Sequence, residues 1–392
     1  YTSIIMKNVN TGIDVKYYFN DGKLKYDVIV NKGGNLADFG IKVIGDEIID
    51  NVNKKSFRLN NYGFPIEDKI SHSYQRINGK NVDVDVNFEI RSNEIKFSAE
   101  NFNPHYALVI DPALNFSTYV GGSADDFEYT GGISKDASGN IVVTGRTLSM
   151  NFPTTAGVIQ INSNGNLDCI VFKLNSTGTS MLFCTYVGGS NVDAGYTSLI
   201  DQSNGDIFIG GTTASPNFPI TSGVYQNIYG GNLFDGFVLK LNSTGNTLFK
   251  STFVGNGVQD LIASICFDNS GGIVFVGQTT GNFISTGTGY QNGYGGGPWD
   301  VFVGKINNSL SNVSATTMIG GNGDDHCHAV KVDASGNVYI AGMTSGSFPT
   351  TSGSYSTSYH GGVWDNYCAK FNSSLSQLLF STYVGSSGND WM

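Results

Sequence analysis

The heptapeptide STYVGGS at residues 117–123 decides the fold, because close copies of it return along the chain. The copies are CTYVGGS (184–190), STFVGNG (251–257), TTMIGGN (316–322) and STYVGSS (381–387). Their first glycines, Gly121, Gly188, Gly255, Gly320 and Gly385, are 67, 67, 65 and 65 residues apart. A fixed period of this kind indicates a repeat architecture in which each copy builds one structural unit.

Each period contains four strand-like runs. In the first repeat they are YTGGIS (129–134), NIVVTG (140–145), CIVFKL (169–174) and MLFCTYV (181–187). The segment DASGN (136–140) separates the first two runs, and its glycine suits the positive φ angle that a tight hairpin requires. One repeat therefore predicts one four-stranded antiparallel sheet.

The second run of every repeat is apolar at successive positions, as in IVVTG, IFIGG, IVFVG and VYIAG. Such strands need cover on both faces of their sheet. Sheets that cover one another predict a β-propeller of four-stranded blades over residues 113–392, whereas a β-sandwich more often alternates apolar and polar residues. The break after Trp391 and Met392, early in a fifth copy, predicts a ring completed by further sequence.

The composition agrees with an all-β protein and excludes some partners. The 392 residues include 52 glycines, and only 14% are charged. The net charge of −10 argues against nucleic acid, which needs clustered Lys and Arg. No apolar run approaches the roughly 18 residues of a transmembrane helix. The five cysteines fall at different places within the repeats and are interpreted as buried thiols rather than a disulfide framework.

Residues 1–112 lack the period and are predicted to form a separate β-rich domain. The segment NDG (20–22) between two strand-like runs predicts a hairpin. A second hairpin is expected around RSN (91–93), and the alternation in VDVDVNFEI (82–90) suits a sheet with one wet face.

A long segment separates the second and third strands of each repeat, as in residues 147–168. Its copies are expected to form a ring of similar loops on one face of the propeller. Tyr229, Tyr294 and Tyr359 recur there, and Trp299 and Trp364 directly precede repeated aspartates. These aromatic residues either stack on sugar rings as a binding surface or pack between blades.

The segment GDDHCH (323–328) is the strongest metal candidate. On a regular strand His326 and His328 project to one face, where Asp325 supplies a third ligand for zinc. The recurrent Asp126, Asp193, Asp260 and Asp325 also suggest calcium. The competing interpretations are a fortuitous histidine pair and aspartates that accept hydrogen bonds from nearby backbone amides.

The repeat GGSADDFEYTGGISKDASGNIVVTGRTLSMNFPTTAGVIQ (121–160) resembles the SBBP family of bacterial β-propeller repeats, although NFISTG (282–287) departs from its Phe-Pro motif. The region before it, with VKYYFNDGKLKYDVIV (15–30) and LVIDPAL (108–114), looks like the β domain that commonly precedes these propellers. The resemblance implies an extracellular or cell-surface protein of Bacteroidota-like bacteria, exported by type IX secretion through a C-terminal sorting domain. It implies no established activity.

These patterns predict a non-enzymatic scaffold without a required cofactor. Its loop ring would bind glycans or surface proteins in adhesion or surface organisation, beside further domains of a longer polypeptide. The alternative is a polysaccharide lyase or glycosidase, which needs two carboxylates, or a base and a metal, converging from different blades.

Overall fold

The computed structural model describes most of the chain. The described residues are 3–20, 23–42, 48–61, 64–91, 94–112, 120–127, 132–231, 233–284 and 286–390. Outside them lie the first three residues of the predicted first strand (129–131 of 129–134) and the start of STYVGGS at 117–119. Parts of both predicted N-terminal hairpin turns, Trp391 and Met392 also lie outside them.

The chain divides into two units, residues 1–119 and 120–392. In the described residues of the first unit the elements are strands with one 3-10 turn. They are β1 (Ser3–Asn10), β2 (Ile13–Asn20), β3 (Lys23–Val30), the 3-10 turn Leu36–Asp38, β4 (Gly40–Lys42), β5 (Ile48–Asn53), β6 (Ser56–Asn61), β7 (Phe64–Ile77), β8 (Lys80–Asp83), β9 (Asp85–Arg91), β10 (Glu94–Glu100) and β11 (Leu108–Pro112).

Two sheets build this first unit around a shared core. The larger sheet has the order β1-β2-β3-β11-β7-β6-β5 with β8 beside β7, and the smaller has the order β4-β10-β9. Val86 and Phe88 of β9 are buried together with Leu108 and Ile110 of β11. On the opposite face of β9, Asp85 before Val86 is exposed and Asn87 between Val86 and Phe88 is half-buried, so β9 has one apolar and one wetter face as expected.

The second unit consists of strands arranged by repeat. They are β12 (Asp126–Phe127), β13 (Ile133–Lys135), β14 (Ile141–Thr147), β15 (Asp168–Leu174), β16 (Met181–Val187), β17 (Asp193–Ile200), β18 (Ile207–Thr213), β19 (Asp235–Leu241), β20 (Leu248–Val254), β21 (Asp260–Phe267), β22 (Ile273–Thr279), β23 (Asp300–Ile306), β24 (Val313–Ile319), β25 (Asp325–Val332), β26 (Val338–Thr344), β27 (Asp365–Phe371) and β28 (Leu378–Val384).

Each repeat forms one antiparallel sheet whose strand order follows the chain. We call them sheet 1 (β12 and β13, then β14-β15-β16), sheet 2 (β17–β20), sheet 3 (β21–β24) and sheet 4 (β25–β28). The predicted all-β class and the four-stranded antiparallel sheets are confirmed. The DASGN hairpin is also as expected, because the Asp136 carboxylate accepts the N–H groups of Ser138 and Asn140 at 2.9 Å and Gly139 has φ +80°.

Neighbouring sheets cover each other's faces. Along β18, Ile207 and Ile209 pack in a cluster with Val142 and Val171 of sheet 1, whereas Phe208 packs with sheet 3. The same division occurs along β22, since alternate residues face sheets 2 and 4. A strand with apolar residues on both sides is stable here because two different neighbours remove those side chains from water.

The cysteines are free thiols, and all except the half-buried Cys368 are buried. This agrees with the interpretation that they pack as small apolar side chains. Within the described residues, no helix is long and apolar enough to cross a membrane.

Candidate functional site

Each repeat sheet has a loop end, where the long loop leaves the second strand and returns to the third. An aspartate begins every third strand at this end, and all of these residues are fully buried: Asp168, Asp235, Asp300 and Asp365. In each, one carboxylate oxygen accepts backbone N–H groups of the loop, as from Asn164 at 2.7 Å and His360 at 2.5 Å. These aspartates therefore fasten the loops to their sheets.

A second buried aspartate begins the first strand of the next sheet. Asp193 accepts the Gly189 N–H at 2.7 Å, Asp260 that of Asn256 at 3.1 Å, and Asp325 that of Gly321 at 2.8 Å. The hydrogen bonds support the interpretation that these residues brace a glycine turn. Their carboxylates do not need a calcium ion to explain their position.

We call the aspartate that begins a third strand and the aspartate that begins the first strand of the next sheet the paired aspartates. Their burial makes the ionised forms of these carboxylates costly. Burial raises the pKa of Asp235 and Asp300 to about 6, and that of Asp260 and Asp325 to about 7. Among the described residues no Lys or Arg forms an ion pair with these four carboxylates. One oxygen of Asp300 and one of Asp365 are buried without a hydrogen-bond partner.

The three recurrent tyrosines hold the loops in place. The Tyr294 hydroxyl donates to the Gly297 carbonyl at 2.7 Å, and the Tyr359 hydroxyl donates to the Gly362 carbonyl at 3.2 Å. Tyr229 meets Phe253 edge to face with ring centroids 5.6 Å apart. All three pack against the sheet cores, so the packing interpretation accounts for them.

Trp299, His326 and Trp364 converge at the loop ends of sheets 3 and 4. The Trp299 carbonyl accepts the Asp325 N–H at 2.8 Å, which fixes the end of one loop beside the start of β25. The imidazole of His326 then lies 6.5 Å from the Trp299 ring and 5.3 Å from the Trp364 ring, at 75° to the latter. All three side chains are half-buried. We call them the aromatic cluster.

Asp324 completes the polar side of the aromatic cluster. Its carboxylate lies 3.0 Å from Nε2 of His326, and the two side chains are 25% and 24% exposed. His326 and Asp324 both lie in the segment GDDHCH that the sequence marks as a metal candidate, but Asp325 is the carboxylate expected to act there. For the tryptophans the sequence leaves both a sugar-binding surface and packing between blades open. Aligning the repeats on their paired aspartates gives a usable signal, because Trp299 precedes Asp300 and His326 follows Asp325.

His328 does not join this arrangement. The register of β25 against β26 shifts between Cys327 and Ala329, so His328 is the extra residue of a β-bulge. The expectation that His326 and His328 share a face assumed a regular strand, which the bulge breaks. Among the described residues no three His, Cys, Asp or Glu side chains are placed to hold one metal ion.

Comparisons with known proteins leave the function open. A family model described as "Domain of unknown function (DUF7948)" matches residues 1–113. The chain is similar to a crystal structure of a protein of unknown function from Dyadobacter fermentans DSM 18053, at 12% identity and a TM-score of 0.39. That likeness covers 98% of this chain and 84% of the other. The curated proteins contain no match.

Proposed function

We propose that the repeat sheets are blades of a β-propeller and that the protein is a non-enzymatic binding scaffold for glycans. Two observations support the propeller. Sheets 2 and 3 are each covered on both faces by neighbouring sheets, and the first strands of successive sheets, β17, β21 and β25, lie next to one another. This is the arrangement expected when small sheets fan about an axis lined by their first strands.

The aromatic cluster carries the binding proposal. Indole faces suit the apolar C–H faces of sugar rings, while Asp324 and His326 beside them offer hydrogen-bond partners for hydroxyl groups. The aromatic cluster lies between sheets 3 and 4, and its combination of tryptophan and histidine does not occur between sheets 2 and 3. The residues that correspond to Trp299 and His326 one repeat earlier are Phe234 and Leu261, which lack polar atoms in their side chains.

Replacement of the indoles tests this site. We expect Trp299→Ala and Trp364→Ala each to weaken glycan binding about tenfold. This corresponds to a loss of about 1.4 kcal/mol in binding free energy. Tyr355→Ala is the matched control, because Tyr355 is a loop aromatic of the same repeat as Trp364 and is 87% exposed. The measurement is a glycan array followed by titration calorimetry. Unchanged binding in both tryptophan variants would remove the proposal.

The alternative of a polysaccharide-degrading enzyme finds less support at this site. Acid–base cleavage needs two carboxylates that reach the substrate. Asp324 is accessible beside the cluster, but Asp300, Asp325 and Asp365 are fully buried. Turnover of a polysaccharide that stops in the Asp324→Asn variant would favour the enzyme over the scaffold.

We further propose that the protein acts at the bacterial surface in adhesion or surface organisation. The support is the resemblance of residues 117–392 to SBBP repeats, together with a repeated loop ring suited to presenting contacts outward. Antibody labelling of intact cells tests this placement. Labelling that appears only after lysis would contradict it.

A further inference from the structure

Charge is separated within residues 120–392. The lysines lie toward the turn end of the sheets, opposite the loop end, and are Lys135, Lys173, Lys240, Lys250, Lys305, Lys331 and Lys370. Several of them are neutralised by aspartates of the hairpin turns: Lys173 pairs with Asp136 at 2.8 Å and Lys240 with Asp206 at 2.9 Å. The turn end is therefore a mixed-charge surface.

The loop end is acidic. Its aspartates are Asp125, Asp126, Asp168, Asp193, Asp235, Asp260, Asp300, Asp324, Asp325, Asp365 and Asp390. In the described part of this unit, Arg146 is the single Lys or Arg at a loop end, and it lies on sheet 1 with its guanidinium 5.3 Å from the Phe127 ring. The aromatic cluster on sheets 3 and 4 therefore lies in a region of negative potential.

The immediate surroundings of the cluster add to this potential. Asp324 is partly exposed beside His326. Each tryptophan directly precedes a fully buried aspartate, Asp300 or Asp365, that keeps one carboxylate oxygen without a hydrogen bond. The faces of the two indoles are themselves electron-rich and attract cations. A cation bound at the cluster would gain from the rings and from the Asp324 carboxylate beside His326.

We propose that the aromatic cluster selects a protonated amino group carried on a sugar, so that its ligand is a glycan with free amino-sugar units. This rests on the proposed glycan-binding function and names its ligand class. The sugar ring stacks on an indole while its ammonium group lies near Asp324. Sugars that carry carboxylate or sulfate groups are repelled by the same field.

Titration calorimetry with three matched oligosaccharides at neutral pH tests the inference. The probes are oligomers of glucosamine, their N-acetylated counterparts, and oligomers of a uronic acid. We expect the glucosamine oligomer to bind about tenfold more tightly than its N-acetylated counterpart, and the uronic acid oligomer not to bind. Added salt should weaken the binding of the glucosamine oligomer.

The outcomes separate the inference from the function on which it rests. Equal binding of the free and acetylated oligomers, or preference for the uronic acid, overturns the amine selectivity and leaves glycan binding standing. Binding of none of the three overturns both. Binding of a lysine-rich peptide without any of the sugars also overturns both, because the ligand is then a protein.

A pair of isosteric variants locates the selectivity. Asp324→Asn keeps the shape beside His326 and is expected to lose about tenfold in affinity for the free amine, with little change for the acetylated oligomer. Asp125→Asn is the matched control, since Asp125 occupies the corresponding position of sheet 1 and is exposed. Equal behaviour of the two variants would overturn the assignment of the amine to Asp324.

Discussion

Gly320 shows why the repeated glycine cannot carry a side chain. Its position lies between the paired aspartates of sheets 3 and 4, and a Cβ atom there would be 2.6 Å from Oδ1 of Asp300 and 2.9 Å from Oδ2 of Asp325. Both carboxylates are fully buried and anchored by backbone N–H groups, so they have little room to move. The equivalent contacts recur at Gly188, Gly255 and Gly385.

We therefore expect Gly320→Ala to destabilise the protein by about 1–3 kcal/mol, the usual cost of forcing an extra methyl group into a packed interior. The measurement is the midpoint of thermal unfolding. Gly293→Ala is the control, because the nearest atom that its Cβ would meet is Oδ1 of Asn282 at 3.9 Å. A Gly320→Ala protein as stable as the control would show that the Asp300 and Asp325 side chains can move aside for the methyl group at little energetic cost.

The third strands are fastened to neighbouring elements by repeated lysines. Lys240 near the end of β19 pairs with Asp206 of its own sheet at 2.9 Å, and it donates to Oδ1 of Asn308 in sheet 3 at 2.9 Å. Lys173 and Lys305 likewise donate to carbonyls of the following sheet, at Ser243 and Ser373. One side chain thus links a hairpin turn, a strand and the next sheet.

Lys240→Met should destabilise the second unit by about 3 kcal/mol. The lysine and Asp206 side chains are only 14% and 13% exposed, so removal of the lysine leaves a carboxylate that is largely buried and unpaired. The double variant Lys240→Met/Asp206→Asn should recover much of this loss in denaturant unfolding.

Lys370→Met serves as the comparison for that experiment. Lys370 pairs with Asp333 at 3.2 Å at a more exposed position, and within the described residues no sheet follows sheet 4 to which it could bond. We expect a smaller loss of stability than for Lys240→Met. Equal losses would mean that the link to the next sheet contributes little.

The acidic residues also give the molecule a predictable response to pH. Burial raises the pKa of Asp193, Asp235 and Asp300 to about 6 and of Asp260 and Asp325 to about 7, above the ordinary value of 3.8. The folded state then binds more protons than the unfolded state between about pH 4 and 7. Its stability therefore falls as the pH rises through that window.

We expect the midpoint of thermal unfolding to be higher at pH 5 than at pH 8. Asp260→Asn imitates the protonated side chain, and it should raise stability at pH 8 and reduce the difference between the two pH values. Calorimetric scans of both proteins check this. A wild-type protein that is more stable at pH 8 would show that these aspartates are ionised in the fold without cost.

Much of the architecture follows from the sequence because its causes are local. Period, turn glycines and runs of apolar residues specify the strands and their hairpins, and the double-sided apolar pattern of β18 and β22 requires cover from two neighbours. The expected hydrogen bonds of the turn and loop-end aspartates follow from their short side chains next to glycine turns.

The aromatic cluster was decided only by tertiary structure. Trp299, His326 and Trp364 come from two sheets and three segments of chain, and they meet because the Asp325 N–H bonds the Trp299 carbonyl and because β25 and β27 begin at the same end of sheet 4. The bulge at His328, which separates it from His326, likewise depends on how β25 pairs with β26. Spacing along a chain fixes which side chains share a strand face only while pairing stays regular, whereas contacts between sheets depend on packing that no local pattern encodes.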